Sequence, residues 1–128
     1  MNKKTNWLDR RVAKPGPYLA LCLTEAELRY ASRNLTDQKL PFPMTGAICS
    51  TFTNSKTNEL CAIVSLSQRS QELGSAIEIA GLLVHEAVHV WQAYAEHMGE
   101  DNPGDEQEAY AVQGVAQELM AEYARRIQ

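Results

Sequence analysis

Leu82-Leu83-Val84-His85-Glu86-Ala87-Val88-His89 carries the strongest structural signal of the chain. On an α-helix, residues four apart lie on one face with Cβ atoms roughly 5–6 Å apart, so His85 and His89 can both reach one metal ion. Glu86 lies about 100° further round such a helix. There it can reach a water on the metal without replacing a histidine. The stretch therefore predicts a helix that carries a metal site.

This spacing is the H-E-x-x-H pattern of zinc hydrolases, in which two histidines bind zinc and the glutamate is the general base. The alternative is a helix in which two hydrogen-bonded histidines and a solvated glutamate occur together by chance. The surroundings favour the metal, because Ser75–Glu96 predicts one long helix with no charge between Glu78 and His85. We expect this helix to be buried on most sides, and buried polar groups need partners.

A catalytic zinc usually takes three protein ligands, so a third donor has to come from elsewhere. His97 lies eight residues beyond His89, about 12 Å along a continuous helix, which is too far. The position six residues after His89, where some zinc hydrolases carry a third histidine, holds Ala95. A glutamate on a second helix is the remaining option.

The second helix is predicted over Asp105–Ile127, after the helix-breaking stretch Gly99–Gly104. Its apolar stripe consists of Ala111, Val112, Val115, Ala116, Leu119 and Tyr123. Extended backwards, the stripe reaches Glu108, whereas Glu106 falls on a polar row. Glu108 is therefore the predicted third ligand, and Asp105 is the runner-up. Glu108 can instead, or as well, be the third residue of a capping box that Asp105 opens.

The distance between the two helices sets a further condition. If the first helix continued to Met98, its end would lie about 13 Å beyond His89, while Glu108 is only about 5–6 Å into the second helix. A simple antiparallel pair would then miss the metal. Either the first helix ends near Tyr94, or the linker runs back along it.

His85-Glu86-x-x-His89, followed after 18 residues by Glu108, resembles the gluzincin branch of zinc metallopeptidases. His85–Gln92 and Glu108–Ala111 are similar to segments of small metallopeptidase-like proteins of phages and prophages. The resemblance implies that His85, His89 and Glu108 hold zinc and that Glu86 activates a zinc-bound water for attack on a peptide carbonyl. It also implies a sheet edge that takes the substrate as an added strand.

The chain departs from this family at two points. Thermolysin-like members place an aspartate four residues after the third ligand, where it supports a histidine, and this position is Val112 here. Another group must therefore orient the histidines. The family also uses a Tyr or His to stabilise the oxyanion, and the sequence does not choose among Tyr18, Tyr94, Tyr110 and Tyr123.

The remaining elements predict an α+β fold. Thr24-Glu25-Ala26-Glu27 is a capping box that opens a helix to about Asn34. Gly46–Thr53 and Glu59–Ser67 predict a hairpin around Asn54–Asn58. We expect a single zincin-like domain over residues 1–128, with a small antiparallel sheet packed against the motif helix and the C-terminal helix. The second strand binds an extended peptide if it lies at the sheet edge, and ordinary core sheet is the alternative.

Composition excludes several functional classes. The net charge of −4 and pI near 5.3 give no basic surface for nucleic acid, and the basic N-terminal residues predict a solvated arm. No stretch reaches the ~20 apolar residues of a membrane span or resembles a signal peptide, so we expect a cytoplasmic protein. Cys22, Cys49 and Cys61 have no metal-binding spacing, and we expect buried thiols.

Three functions are compatible with these residues. The first is a zinc-dependent peptidase that acts on a peptide or protein substrate. The second is a zinc-stabilised binding or virion-associated protein without turnover. The third is a metal-free helical interaction domain. The specific substrate and the oligomeric state remain open at this point.

Overall fold

The structure, a computed structural model, describes Trp7, Leu8 and residues 17–99 and 104–127. The basic residues of the predicted N-terminal arm and most of the predicted helix-breaking stretch lie outside the described residues. The described elements, in chain order, are β1 (Tyr18–Cys22), α1 (Glu25–Ser32), β2 (Ala47–Thr53), β3 (Leu60–Leu66), α2 (Gln68–Leu73), α3 (Ala76–His97) and α4 (Asp105–Arg126).

The three strands form one mixed sheet in the order β1-β3-β2. The predicted hairpin is confirmed, because β2 and β3 pair antiparallel with Cys49 opposite Val64. The turn closes with a 2.8 Å hydrogen bond from the Asn54 amide to the Glu59 carbonyl. The prediction of a purely antiparallel sheet was wrong, since β1 pairs parallel to β3. A parallel partner is joined through a long connection, so no local turn signal announces it.

Strand β3 is the central strand of the sheet, so of the two alternatives for this strand the core strand is confirmed and the substrate-binding edge is not. Every residue of β3 is buried, as expected of a strand that is covered on both faces and paired on both sides. The outer strand next to α3 is β2. An edge that can accept an added strand therefore belongs to the first strand of the hairpin.

The sheet separates two apolar clusters. The larger joins one face of the sheet to α3 and α4 and contains Leu19, Leu21, Leu23, Ala62, Val64, Leu66, Ile79, Leu83, Ala87, Val90, Val115, Ala116 and Leu119. The smaller joins the other face to α1 and contains Ala20, Cys22, Leu28, Ala31, Leu40, Phe52, Cys61 and Ile63. The alternation along β1 and β3 follows from side chains that point to opposite faces at successive positions.

Helix α3 begins within one residue of its predicted start, because Ser75 and Glu78 form a complete capping box. The expectation that α3 is buried on most sides was wrong. Ile77 is 84% exposed and Val84 is 40% exposed, and both motif histidines are exposed. Apolar composition alone did not reveal that only one side of this helix faces the sheet and α4.

Helix α4 packs through its predicted stripe, with Val115, Ala116 and Leu119 buried. Its N-cap is Gly104, which makes no side-chain cap, so the predicted capping box that Asp105 opens does not form. In the predicted box at α1, Thr24 accepts the Glu27 amide. The Glu27 carboxylate accepts a 3.0 Å hydrogen bond from the Leu23 amide. The second bond of the predicted box therefore comes from Leu23 and not from the N-cap residue.

An ion pair connects the end of α4 to the start of α1. The Arg126 Nη2 atom lies 2.5 Å from Glu27 Oε2, and both side chains are only 5% exposed. A buried pair costs much more to break than an exposed one, because the remaining charge has lost its solvent and its partner. The pair therefore ties the last turn of α4 to the first turn of α1.

We expect Arg126→Ala to lower the free energy of unfolding by about 3–5 kcal/mol, because Glu27 loses its buried cationic partner. Arg29→Ala is the control, since it removes a 3.1 Å pair with the 61%-exposed Glu25 and should cost less than about 1 kcal/mol. Urea denaturation of both variants measures the difference. Equal losses would contradict the structural role of the Arg126 pair.

Candidate functional site

His85 and His89 bring their ring nitrogens together on the exposed side of α3. Their Nε2 atoms are 3.3 Å apart, with ring centroids at 4.9 Å and ring planes inclined by 71°. Two nitrogens on a tetrahedral zinc, each at about 2.0–2.1 Å from it, are about 3.3–3.4 Å apart. At this separation two lone pairs repel each other unless a proton or a cation lies between them. The histidine pair therefore fits a shared zinc ion.

Gln92 orients His89. Its Oε1 atom lies 3.1 Å from His89 Nδ1. Since an amide oxygen only accepts, Nδ1 carries the proton, and in the neutral ring Nε2 keeps its lone pair. A partner of this kind fixes the tautomer of a ligand histidine. Sequence reasoning left this partner unidentified, although Gln92 is one helical turn after His89 and the spacing alone is a usable signal.

Glu86 is buried between α3 and the sheet edge, at 3% exposure. Its Oε2 atom lies 3.9 Å from His85 Nε2, and the backbone N–H of Cys49 on β2 donates to its carboxylate. The predicted position beside the histidines is confirmed. A buried carboxylate needs hydrogen-bond partners, as predicted, and the Cys49 amide of β2 supplies one.

Burial raises the pKa of Glu86, while His85, His89 and the Cys49 amide act in the opposite direction. A glutamate with a raised pKa is suited to accept and return a proton near neutral pH. Burial, and then the charge of Glu86, raises the pKa of the Cys49 thiol to about 12. Cys49 is therefore a neutral thiol at pH 7, and its contribution to the site is its backbone.

Glu108 lies beside α3, but its carboxylate contacts Trp91 and not the histidines. Its Oε2 atom accepts a 3.0 Å hydrogen bond from the Trp91 indole. Because α3 continues to His97, the alternative of a helix end near Tyr94 was wrong, and the linker of the other alternative lies largely outside the described residues. Trp91 lies about 200° round the helix from His89, so this contact is on another side of α3.

The described residues bring no third ligand to the histidines. Within residues 7, 8, 17–99 and 104–127, no group of three His, Cys, Asp or Glu side chains is close enough to hold a metal. The runner-up, Asp105, is exposed in the first turn of α4. The histidine pair thus supplies two of the three predicted ligands, and Glu108 as the third stays a prediction.

Among the described strands, none pairs with the outer edge of β2, which lies beside the histidines. The Gly46 carbonyl accepts from Ser67 and the Asn54 amide donates to Glu59, so even-numbered residues of β2 face β3. Ala47, Cys49 and Thr51 consequently turn their backbone groups outward. The Cys49 amide reaches Glu86. No described strand pairs with the edge on either side of this contact.

A groove with a volume of about 460 Å³ follows this edge. It is lined by Ala47, Ile48, Cys49, Thr51, His85, Glu86, His89, Gln92, Ala93 and Glu96. Among the described residues that line it there is no tyrosine. Tyr18, one of the four oxyanion candidates, instead donates to Glu59 at 3.1 Å.

No family model, curated protein or solved structure matches the chain. No helix in the described part of the chain is long and apolar enough to cross a membrane. Cys22, Cys49 and Cys61, all within the described residues, are not in disulfides. The chain is an α+β protein with an exposed histidine pair and a buried carboxylate beside an open strand edge.

The raised pKa of Glu86 means that the folded protein holds this proton more tightly than the unfolded chain. In metal-free protein, the stability from Glu86 is therefore full below the ordinary pKa of 4.5. It is lost as the pH rises through the raised folded-state value. We expect Glu86→Gln to be more stable than the wild type at neutral pH, and the gain to shrink on acidification.

Glu78→Gln is a control of opposite sign. The pKa of Glu78 is lowered by its hydrogen bonds to the Ser75 backbone and side chain. Its contribution is present above 4.5 and is lost as the pH falls through the lowered value. Urea denaturation in chelator, from about pH 4 to about pH 8, measures both variants. A Glu86→Gln profile parallel to the wild type would contradict the burial effect.

Proposed function

We propose that this chain is a zinc-dependent peptidase with a zincin-like arrangement of helix and sheet edge. The observation that carries the proposal is the 3.3 Å separation of the His85 and His89 Nε2 atoms, with the Glu86 carboxylate beside them. His85 and His89 would hold the ion, and Glu108 is the predicted third ligand. Bound zinc supplies a Lewis acid that polarises a carbonyl and lowers the pKa of water toward 7.

Glu86 is the proposed general base. Its carboxylate is held at a fixed place by the Cys49 amide, and its raised pKa suits proton transfer near neutral pH. It would accept a proton from the attacking water and return it to the leaving amine. The surrounding apolar packing limits the movement of this side chain.

The substrate would be an extended peptide or protein segment on the outer edge of β2. Main-chain hydrogen bonds to an open strand edge bind such segments without regard to sequence. Backbone groups of Ala47 and Thr51 lie on either side of the Cys49–Glu86 contact. A peptide along this edge would pass the imidazoles and the Glu86 carboxylate. Hydrolysis requires this placement of the substrate beside the metal ligands and the base.

The alternative function is a zinc-stabilised binding protein without turnover. The hydrogen bond between Trp91 and Glu108 favours it, because a carboxylate engaged by the indole is not at the same time beside the histidines. Such a protein would bind zinc and peptides through the same residues. It differs from the peptidase only in the absence of hydrolysis.

The decisive experiment compares zinc content and peptide hydrolysis in four variants. We expect His85→Ala and His89→Ala to lose zinc and activity. His97→Ala, on the same helix and exposed, should keep both and serves as the matched control. Glu86→Gln should retain zinc but lose hydrolysis, because it keeps the shape of the side chain and removes the base.

Elemental analysis and a chelator-sensitive cleavage screen on a peptide library are the measurements. Full activity in Glu86→Gln would rule out the assigned base. One zinc per chain without any cleavage would favour the binding protein. Absence of zinc binding, with no effect of chelator on stability, would overturn both and leave the metal-free interaction domain.

The role of Glu108 can be separated from its contact with Trp91. If Glu108 is the third ligand, Glu108→Ala should weaken zinc binding by roughly 100-fold or more. Trp91→Phe removes the indole donor and shortens a buried side chain, so it should lower the free energy of unfolding but leave zinc binding as tight as in the wild type or tighter. Glu106→Ala, at an exposed position of the same turn, is the control. Titration with a zinc chelator of known affinity gives the values.

A different pattern would show that Glu108 only supports Trp91. In that case Glu108→Ala and Trp91→Phe would both lower the free energy of unfolding, and zinc affinity would not change in either. The third ligand would then have to be sought elsewhere.

A further inference from the structure

A second depression adjoins the histidine groove on the side toward the start of α3. Its volume is about 700 Å³, and it shares Ala47, His85 and Glu86 with the groove. A peptide that lies along the β2 edge and passes these three residues has a side chain at the entrance of the depression. The two cavities therefore form one continuous surface, on which the depression can receive that side chain.

The walls of the depression include apolar side chains that the fold does not bury. Leu73, at the end of α2, is 70% exposed, and Leu82 on α3 is partly buried. Both line the depression together with the buried Ile79. Exposed apolar residues in a concave surface are typical of a binding site for an apolar group. The nearby Glu78 carboxylate is already bound by the Ser75 amide at 2.8 Å.

Gly81 lies in the middle of α3, one helical turn before His85, and lines the same depression. A glycine inside a helix costs about 0.5–1 kcal/mol relative to alanine. No close contact with a described residue explains it, since a Cβ atom at Gly81 would meet nothing within 4 Å. Its φ is not positive either. Because Gly81 lines the depression, its missing side chain leaves that part of the depression open one turn from His85.

We propose that Gly81 sets the size of the substrate side chain that the site accepts, and that this side chain is apolar. The proposal rests on the proposed function, because the occupant is a residue of a peptide bound along β2. A larger residue at position 81 would stand one turn from His85 and fill the space. The glycine is then a specificity-determining residue, and the loss of helix stability is its cost.

The test measures peptide binding in the zinc-loaded Glu86→Gln protein, so that hydrolysis does not enter. Fluorescence anisotropy is recorded for peptides that differ at one position, which holds Ala, Leu, Phe or Glu. The variants are Gly81→Ala and Gly81→Leu. The matched controls are Gly114→Ala and Gly114→Leu, because Gly114 is also in mid-helix with nothing within 4 Å and does not line the depression.

We expect the parent to bind the Leu and Phe peptides more tightly than the Ala and Glu peptides. Gly81→Leu should weaken the binding of the Leu and Phe peptides about tenfold or more. It should leave the affinity for the Ala peptide nearly unchanged. Gly114→Leu should preserve the parent ranking. Both alanine variants should raise the melting temperature, which shows that α3 and α4 are intact.

The outcomes separate this inference from the proposed function. Peptide binding with the same ranking in Gly81→Leu and Gly114→Leu would overturn the role of Gly81 and leave the peptidase standing. Preference for the Glu peptide would overturn the apolar occupant and direct attention to Arg69, which also lines the depression. Zinc binding without affinity for any peptide would overturn both proposals.

Discussion

The buried carboxylate of Glu86 is the constraint on which the arrangement of the site depends. A carboxylate away from water is costly unless it is hydrogen-bonded, and the Cys49 amide on β2 supplies a hydrogen bond. Because Glu86 belongs to α3, this contact joins the motif helix to the edge of the sheet. The apolar residues Leu83, Ala87 and Val90 pack α3 in the same core cluster as the sheet, and His85 and His89, on the neighbouring side of the helix, line the groove along β2.

On the other side of α3, the Trp91 indole and the proposed metal site compete for the carboxylate of Glu108. The buried indole of Trp91 has an N–H that needs an acceptor, and Glu108 provides it at 3.0 Å. If Glu108 is the third ligand, as proposed, a metal at the histidines would need the same carboxylate on another side of the helix. Glu108 lies in the first turn of α4, whose N-cap Gly104 makes no side-chain hydrogen bond.

Local patterns predicted those parts of the fold that depend on neighbours in sequence. The hairpin followed from two β-branched stretches around Asn54–Asn58, and α4 followed from the spacing of Val115, Ala116 and Leu119. Patterns failed where the partner is remote. The sequence Leu60–Leu66 is compatible with a strand that has one neighbour or two. Its central position in the sheet follows from the pairing with β1, which is remote in sequence. The exposure of Ile77 and Val84 likewise depends on which surfaces α3 meets.

The proximity of His85 and His89 followed from their spacing, because a helix places residues four apart on one face regardless of its surroundings. The hairpin and the apolar stripe of α4 are local in the same sense. The donor to the Glu86 carboxylate, the partner of Glu108 and the identity of the edge strand beside the histidines came from the three-dimensional packing. Each of these joins segments far apart in the chain, and the same residues would permit other pairings. Their selection is a property of how the helices and the sheet fit together, which no single segment encodes.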